Sequence, residues 1–228
     1  MIRLAALAAL LASCGSLQTG LAPLEAPQGC QPPAPADLSE ATPEAGLRCL
    51  VQAMRADADL GKAHGARACA LLVDRMPKGQ AKEQVAAEGV RWGEAAGDDP
   101  AQRYWTAVNL GVAIEPHPTL ALKELSTLEA HLKAAVAGAP ATHLGGPLRV
   151  LGMLYLRAPA WPDGIGDGDK ALDLLRRAAS EHPTHPLNLL FLATAEWEVE
   201  EDEETVLAAL AAFDKAVAAP RWAALSQR

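Results

Sequence analysis

The segment ALDLLRRAASEHP, residues 171–183, decides the fold. Small or apolar residues occupy Ala171, Leu175 and Ala178, and Pro183 follows five residues later. Offsets of four and seven place side chains on one face of an α-helix. A proline beyond the last of these positions ends the helix without disturbing it. The segment therefore predicts a helix with a narrow packing face, followed by a break.

This spacing recurs along the chain, with starting points 40, 43 and 38 residues apart. The complete copy is Leu128/Leu132/Ala135/Pro140. A second copy is Ala209/Phe213/Ala216, whose proline, Pro220, comes one position early. A third copy is partial: it has Trp92/Ala95/Pro100, but Glu88 occupies its first position. A charged Glu88 on the packing face indicates either a partly exposed terminal repeat or a chance match.

A second predicted helix precedes each later motif and carries a leucine followed by a small residue. These pairs are Leu110-Gly111, Leu151-Gly152 and Leu192-Ala193. Paired helices with these positions resemble the tetratricopeptide (TPR) pattern. The resemblance implies an all-α, TPR-like solenoid of helical hairpins over residues 41–228. It would contain three to four repeats with expanded intra-repeat loops, the longest at residues 158–168. An Ala/Leu-rich chain with only 4 % aromatic residues suits close helix packing.

The N-terminus combines Arg3 with an apolar run from Leu4 to Ala12. That run is too short to span a bilayer, which takes about 20 residues, and is typical of a signal peptide. Leu11-Ala12-Ser13-Cys14 resembles the lipobox of bacterial lipoproteins. The resemblance implies that residues 1–13 are removed and that Cys14 is acylated with palmitate-type chains. Gly15 in place of aspartate favours the periplasmic face of the outer membrane, in a host that has one.

Residues 14–40 are predicted to form a tether between the lipidated Cys14 and the helical domain. Prolines are dense there: Pro23, Pro27, Pro32, Pro33 and Pro35. They remove backbone donors and oppose helix formation, so we expect an extended spacer.

Two further stretches point to a more specific family. They are Tyr104–Gly111, YWTAVNLG, and the run from Gly145-Gly146-Pro147 through Leu151-Gly152 to Gly166-Asp167. With the lipobox they resemble the TatT family, lipoproteins linked to TRAP-type transporters. The resemblance implies a helper that associates with a periplasmic substrate-binding protein. A general TPR lipoprotein without a transporter role remains an alternative.

Five residues are candidates for a binding groove because they lie on the first helix of a predicted hairpin or in the longest loop. They are Trp105, Asn109, Arg149, Tyr155 and Trp161. Trp105 and Tyr155 can equally be packing residues, since a large aromatic side chain with a polar tip fills a core when it finds a partner.

Sequence patterns give no support to catalysis, cofactor binding or a metal site. His182 and His185 are the one close histidine pair, in a proline-broken link without accompanying ligands, so we expect no zinc site. Asp163, Asp167 and Asp169 lack the glutamate of a calcium loop, and a helix cap at Asp167 or Asp169 is the preferred interpretation. The net charge of −8 argues against a nucleic-acid partner.

Residues 196–204 contain seven acidic side chains. They can dock a basic partner surface. The preferred interpretation is a solvated turn, in which Asp202-Glu203-Glu204 favours the start of the next helix.

Of the remaining cysteines, Cys49 and Cys69 lie level on an expected antiparallel helix pair, which predicts a Cys49–Cys69 disulfide. Pairing of Cys30 with Cys49 is the alternative.

The sequence thus predicts a non-enzymatic lipoprotein that faces the periplasm and holds a partner protein on its helical scaffold. One candidate partner is the substrate-binding protein of a TRAP-type transporter. Alternatives are a small-molecule-binding lipoprotein with a channel between helices and a general envelope-assembly factor. Each of these hypotheses is compatible with a protein that forms oligomers.

Overall fold

The computed structural model describes residues 24–226, and within that range it contains ten α-helices and no β-strand. A 3₁₀ turn at Pro35–Asp37 precedes them and a π-helical turn at Glu196–Glu200 follows α8. The helices are α1 Glu44–Ala56, α2 Ala58–Val73, α3 Gln80–Ala95, α4 Pro100–Ile114, α5 Pro118–Gly138, α6 Gly146–Arg157, α7 Gly168–Glu181, α8 Pro186–Ala195, α9 Glu203–Val217 and α10 Pro220–Ser226. The all-α prediction is confirmed.

Helix starts follow local sequence signals. Asp167, one of the two aspartates predicted to cap α7, accepts a hydrogen bond from a backbone N–H in its first turn. Asp202 caps α9 in the same way, at the helix start that the acidic residues were predicted to favour. Helix α1 begins without a side-chain cap, because its capping residue is Pro43. The Thr42 hydroxyl accepts from the Ser39 N–H and closes the turn that leads into α1.

Helices pack mainly against their neighbours in chain order, and α2 also contacts α4, as α6 contacts α8. The buried apolar side chains form three clusters that follow one another along the chain. The first joins residues 24 and 38 to α1–α4, the second extends from α2 to α7, and the third connects α6 to α8. The core is therefore spread along the chain, and most helix contacts join neighbours in sequence.

The predicted packing positions are buried in α5 and α7, and they are less buried in α3 and α9, which carry the first and last copies of the motif. In α9 only Ala209 is fully buried, and Ala95 at the end of α3 is exposed. Gly152 permits close helix contact, since a Cβ there would lie 2.7 Å from Leu175 Cγ. Gly111 faces open space, so its predicted packing role is absent.

Glu88 corrects the expectation of a partly exposed repeat. Its side chain is 2 % exposed and forms two hydrogen bonds with the Arg55 guanidinium, at 3.0 and 2.7 Å. A buried carboxylate needs such a partner. Arg55 lies on α1, so this pair links α1 to α3.

The part of the predicted tether that the structure describes, residues 24–40, lies against the helices. Leu24 and Leu38 are buried in the first core cluster. Gln52 on α1 donates to the Leu24 carbonyl, and Arg67 on α2 donates to the Leu38 carbonyl. Cys14 and the signal sequence lie outside the described residues.

The disulfide joins Cys30 to Cys49, so the predicted Cys49–Cys69 pair is wrong and the alternative pairing is present. Cys69 is free and buried in the first core cluster, and burial raises the pKa of its thiol. Cys49 is outside that cluster and faces the N-terminal segment. Equal height along two helix axes was therefore insufficient to predict the disulfide, because the Cys49 and Cys69 side chains point in different directions around those axes.

Within residues 24–226, none of the helices combines the length and apolar character needed to cross a bilayer.

Candidate functional site

Two adjoining cavities form a cleft bounded by α2, α4, the turn before α6, and the start of α8. The polar cavity has a volume of about 490 Å³ and the apolar cavity about 590 Å³. Four residues line both: Glu40, Leu71, Trp105 and His143. Each volume lies in the range of about 300–1,000 Å³ that is usual for ligand sites. We call the two together the interhelical cleft.

A group of polar side chains at the junction of the cavities, the Glu40 cluster, consists of Glu40, Tyr104, His143, His185 and Arg221. Hydrogen bonds join four of them, and the His185 ring lies 5.6 Å from the His143 ring. Glu40 Oε1 lies 2.7 Å from His143 Nε2, and Glu40 Oε2 accepts from Arg221 Nη2 at 3.0 Å. Tyr104 Oη lies 2.7 Å from His143 Nδ1. The His143 ring therefore connects a phenol on α4 to a carboxylate from the N-terminal segment.

The turn that presents His143 has an unusual backbone. His143, Leu144 and Gly145 have φ values of 51°, 52° and 80°, in the left-handed region. Only Gly145 adopts this conformation without a steric cost, which for other residues is about 1 kcal/mol or more. Left-handed non-glycine residues concentrate at binding and catalytic sites.

Side chains behind the turn hold it in place. Asn188 Nδ2 donates to the carbonyls of Leu144 and His182, at 3.0 and 2.9 Å. Asn188 Oδ1 accepts from Arg149 Nη1 at 2.6 Å. Asn188 and Arg149 are 0 % and 3 % exposed. The amide therefore links α8 to the turn and provides the buried guanidinium with an acceptor.

Electrostatics of the cluster follow from burial and from this network. The hydrogen bond from His143 is the main reason that the pKa of Glu40 lies well below its usual range. Burial lowers the pKa of His185 to about 3, and the charge of Arg149 contributes in the same direction. Burial also raises the pKa of Tyr104 to about 12. At neutral pH the site thus contains an ionised carboxylate, a neutral His185 and a neutral phenol.

Glu40, His143 and His185 offer ligand atoms that all lie within 4.8 Å of one another, a spacing compatible with a metal ion. Their surroundings do not suit a cation. His185 Nδ1 accepts from the Leu187 N–H at 3.3 Å, so the neutral ring carries its proton on Nε2, the other possible ligand atom. Arg149 and Arg221 add positive charge next to His143 and Glu40.

The apolar cavity is closed on one side by the C-terminal helices. Phe213 and Val217 from α9 and Trp222 from α10 line it opposite Val108 of α4. The Trp222 ring lies 4.7 Å from the His185 ring, and Trp222 Nε1 donates to the Thr184 carbonyl at 2.8 Å. The C-terminal helix thereby joins the wall of the cleft.

The five predicted groove residues occupy different places. Trp105 lines both cavities, and Arg149 lies behind the Glu40 cluster, 3.5 Å from His143 Nδ1. Asn109 is fully buried and donates to the carbonyls of Ala66 and Trp105.

Tyr155 and Trp161 lie away from the cleft. The Tyr155 hydroxyl donates to Glu129 Oε1 at 2.7 Å, which ties α6 to α5. Trp161 stands 84 % exposed in the loop between α6 and α7. The structure therefore brings together only Trp105 and Arg149 of the five.

Sequence reasoning missed most of the site. Glu40 lies at the end of the predicted tether, and the sequence patterns predicted no ligand role for His185 and none for His143. These residues and Arg221 are separated by tens to more than a hundred positions in the chain, so no local spacing connects them. The one available signal was Gly145-Gly146-Pro147, which marks a tight turn directly after His143.

The comparisons with known proteins add no relative. The sequence matches no protein-family model, and no curated protein matches it. The interpretation of the cleft therefore rests on its geometry and chemistry.

Proposed function

We propose that this chain is a non-enzymatic, envelope-anchored binding protein whose interhelical cleft receives part of a partner protein. In this proposal residues 41–228 are a TPR-like helical solenoid and Cys14 carries the lipid anchor. The resemblance to the TatT family identifies the candidate partner as the substrate-binding protein of a TRAP-type transporter.

The observation that carries the proposal is the position of the cleft. Its lining includes α2, α4 and α8, which alternate along the array, together with the N-terminal segment, α9 and α10. In hairpin solenoids the alternate helices line one face, where extended partners bind. The stacking of helix pairs in chain order and the spread of the core along the chain support the solenoid reading.

Two observations support binding rather than catalysis. The free cysteine, Cys69, is not available as a nucleophile at the cleft, because it lies in the core and burial raises the pKa of its thiol. His143 is engaged with Glu40 and Tyr104, and His185 accepts from a backbone N–H. Such a network fixes the walls of a site and occupies both rings, whereas a catalytic histidine is paired with a nucleophile.

The test is crosslinking and pull-down of the tagged, lipidated protein from its native envelope. Leu187 at the edge of the apolar cavity is 41 % exposed, and Leu122 on α5, which does not line the cleft, is 56 % exposed. We expect wild type and Leu122→Asp to recover a periplasmic substrate-binding protein and Leu187→Asp to lose it. Equal recovery by all three proteins, or no substrate-binding protein from wild type, would contradict the proposal.

A second candidate is small-molecule binding within the same cleft. The adjoining cavities favour it, because Trp105 forms a shared wall between a polar and an apolar compartment. Small-molecule sites combine an apolar lining with a few placed polar groups in this way. A general envelope-assembly role has no comparable observation in its favour.

A further inference from the structure

The interhelical cleft has an excess of positive charge. Four basic side chains line it, namely Arg67, Arg75, Lys82 and Arg221, and Arg149 lies directly behind it. The carboxylates that line it are Glu40 and Asp74. The whole chain carries a net charge of −8, so this local excess is opposite in sign to the rest of the molecule. A concave site with fixed positive charge attracts anions.

Arg67 is the most informative of these groups. It is half-buried, and burial lowers the pKa of its guanidinium. Its Nη2 donates to the Leu38 carbonyl, and its guanidinium carbon lies 6.0 Å from the Trp105 ring centroid. Within residues 24–226 it makes no ion pair with a carboxylate. A partly desolvated guanidinium of this kind is suited to bidentate binding of a carboxylate.

The apolar cavity adjoins this cationic compartment through Trp105 and His143. Its wall consists largely of Val108, Val112, Phe213, Val217 and Trp222. A molecule that spans the two compartments would place a charged head near Arg67 and an apolar body against α4 and α9.

We propose that the interhelical cleft binds an organic carboxylate with an apolar body, whose carboxylate is held by Arg67 with help from Arg221. Glu40 competes with that anion for the guanidinium of Arg221, since its Oε2 already accepts from Arg221 Nη2. The carboxylate belongs either to a free amphiphilic acid or to the C-terminus of a partner chain. The inference rests on the cleft being the binding site, as the proposed function requires.

The test is calorimetric titration of the full chain carrying Cys14→Ser, so that no acyl chain competes for the cleft. The probes are octanoate and its neutral counterpart octanamide. A second pair is N-acetyl-leucyl-valine with a free and with an amidated C-terminus. We expect at least one carboxylate to bind about tenfold or more tightly than its neutral counterpart, because charge-assisted hydrogen bonds are lost in the amide. The pair that responds identifies the source of the carboxylate.

Variants locate the site. Arg67→Met should weaken the carboxylate about tenfold or more, and Glu40→Gln should tighten it several-fold by removing a nearby like charge. Arg177→Met is the matched control, because Arg177 pairs with Glu181 on α7 and lies outside the cleft. Circular dichroism and thermal unfolding establish that each variant is folded. If Arg67→Met does not fold, Arg221→Met takes its place, since Arg221 is 52 % exposed.

Several outcomes would overturn the inference. They are equal binding of the acid and its amide, binding unaffected by either arginine substitution, weaker binding by Glu40→Gln, or no binding of either carboxylate. Tight zinc binding that Glu40→Gln abolishes would also overturn it, because it would assign the cluster to a cation. The pull-down and the titration fail independently, so loss of the partner hypothesis is distinguishable from loss of the carboxylate site.

Discussion

At the scale of single residues, buried charge pairs distinguish this chain from a simple apolar helical array. Glu88 and Glu196 are 2 % and 1 % exposed, and each carboxylate forms two hydrogen bonds with an arginine on a different helix, Arg55 and Arg176 respectively. Glu196 belongs to the acidic run that was expected to be a solvated turn. A buried carboxylate without its partner is costly, so these pairs fix how the helices meet.

The Arg55–Glu88 pair yields a stability prediction. Arg55→Ala leaves the Glu88 carboxylate buried and unpaired, and we expect the free energy of unfolding to fall by about 3–5 kcal/mol. Arg48→Ala on the same helix removes a surface pair with Glu44 and should cost at most about 1 kcal/mol. Urea unfolding measures both. Similar losses in the two variants would show that Glu88 does not depend on Arg55.

His185 makes stability depend on pH. Its pKa is about 3 in the folded chain against 6.5 in the reference state. Below pH 6.5 the unfolded chain binds a proton that the folded chain excludes, so stability is lost as the pH falls toward 3. From pH 7 to pH 5 this group should remove about 2 kcal/mol.

The control for this prediction is His185→Asn, which keeps a side chain able to cap α8 and has no titrating ring. The difference in unfolding free energy between pH 7 and pH 5, from urea unfolding at both values, should shrink by about 2 kcal/mol in the variant. An unchanged difference would mean that the ring accepts a proton in the folded chain. The pKa of Glu40 is also lowered, but the stability that depends on its ionisation is lost mainly below pH 4.5, its ordinary pKa.

At the scale of elements, the N-terminal segment behaves as part of the folded domain. The disulfide joins positions 19 apart in sequence and fastens residues 24–40 to α1. Closing a loop of this length contributes about 3 kcal/mol in the chain-entropy account. The same segment delivers Glu40 to the cleft, so the bridge and the site are connected.

We therefore expect Cys30→Ser/Cys49→Ser to lower the free energy of unfolding by about 3 kcal/mol, measured by urea unfolding without reductant. Cys69→Ala is the control. Because it retains the disulfide, reductant should lower its free energy of unfolding as it does in wild type. Peptide mapping under non-reducing conditions should yield a Cys30–Cys49 linked peptide. A linked peptide that contains Cys69 would contradict the pairing.

The elements also show how far sequence reasoning reaches. Helical periodicity, prolines and aspartate caps located the helices, because these signals act within a turn or two of the chain. The disulfide was missed because it depends on the rotation of α1 and on the path of residues 24–40. Glu40, His143 and His185 were missed for a similar reason: their proximity results from the packing of α4, α6 and α8, which no local spacing records.

At the scale of the whole molecule, the account joins a lipid anchor to a helical binding body. The anchor remains a prediction from Leu11-Ala12-Ser13-Cys14, which lies outside the described residues. Cys14→Ala should abolish labelling with a palmitate analogue and move the protein from the membrane to the soluble fraction, because stable attachment requires acyl chains. Cys69→Ala should remain labelled and membrane-bound. If the Cys14→Ala variant were still labelled, the prediction that Cys14 is the acylated residue would be contradicted.

The central claim is that the interhelical cleft is the surface at which this molecule binds. Hydrogen–deuterium exchange of the full chain, with and without the recovered partner, tests it most directly. The account predicts slower exchange around the cleft, in the turn before α6, the first turn of α8, and α10, with no change in α7. Slower exchange confined to α5 or α7, or no change at saturation, would contradict it.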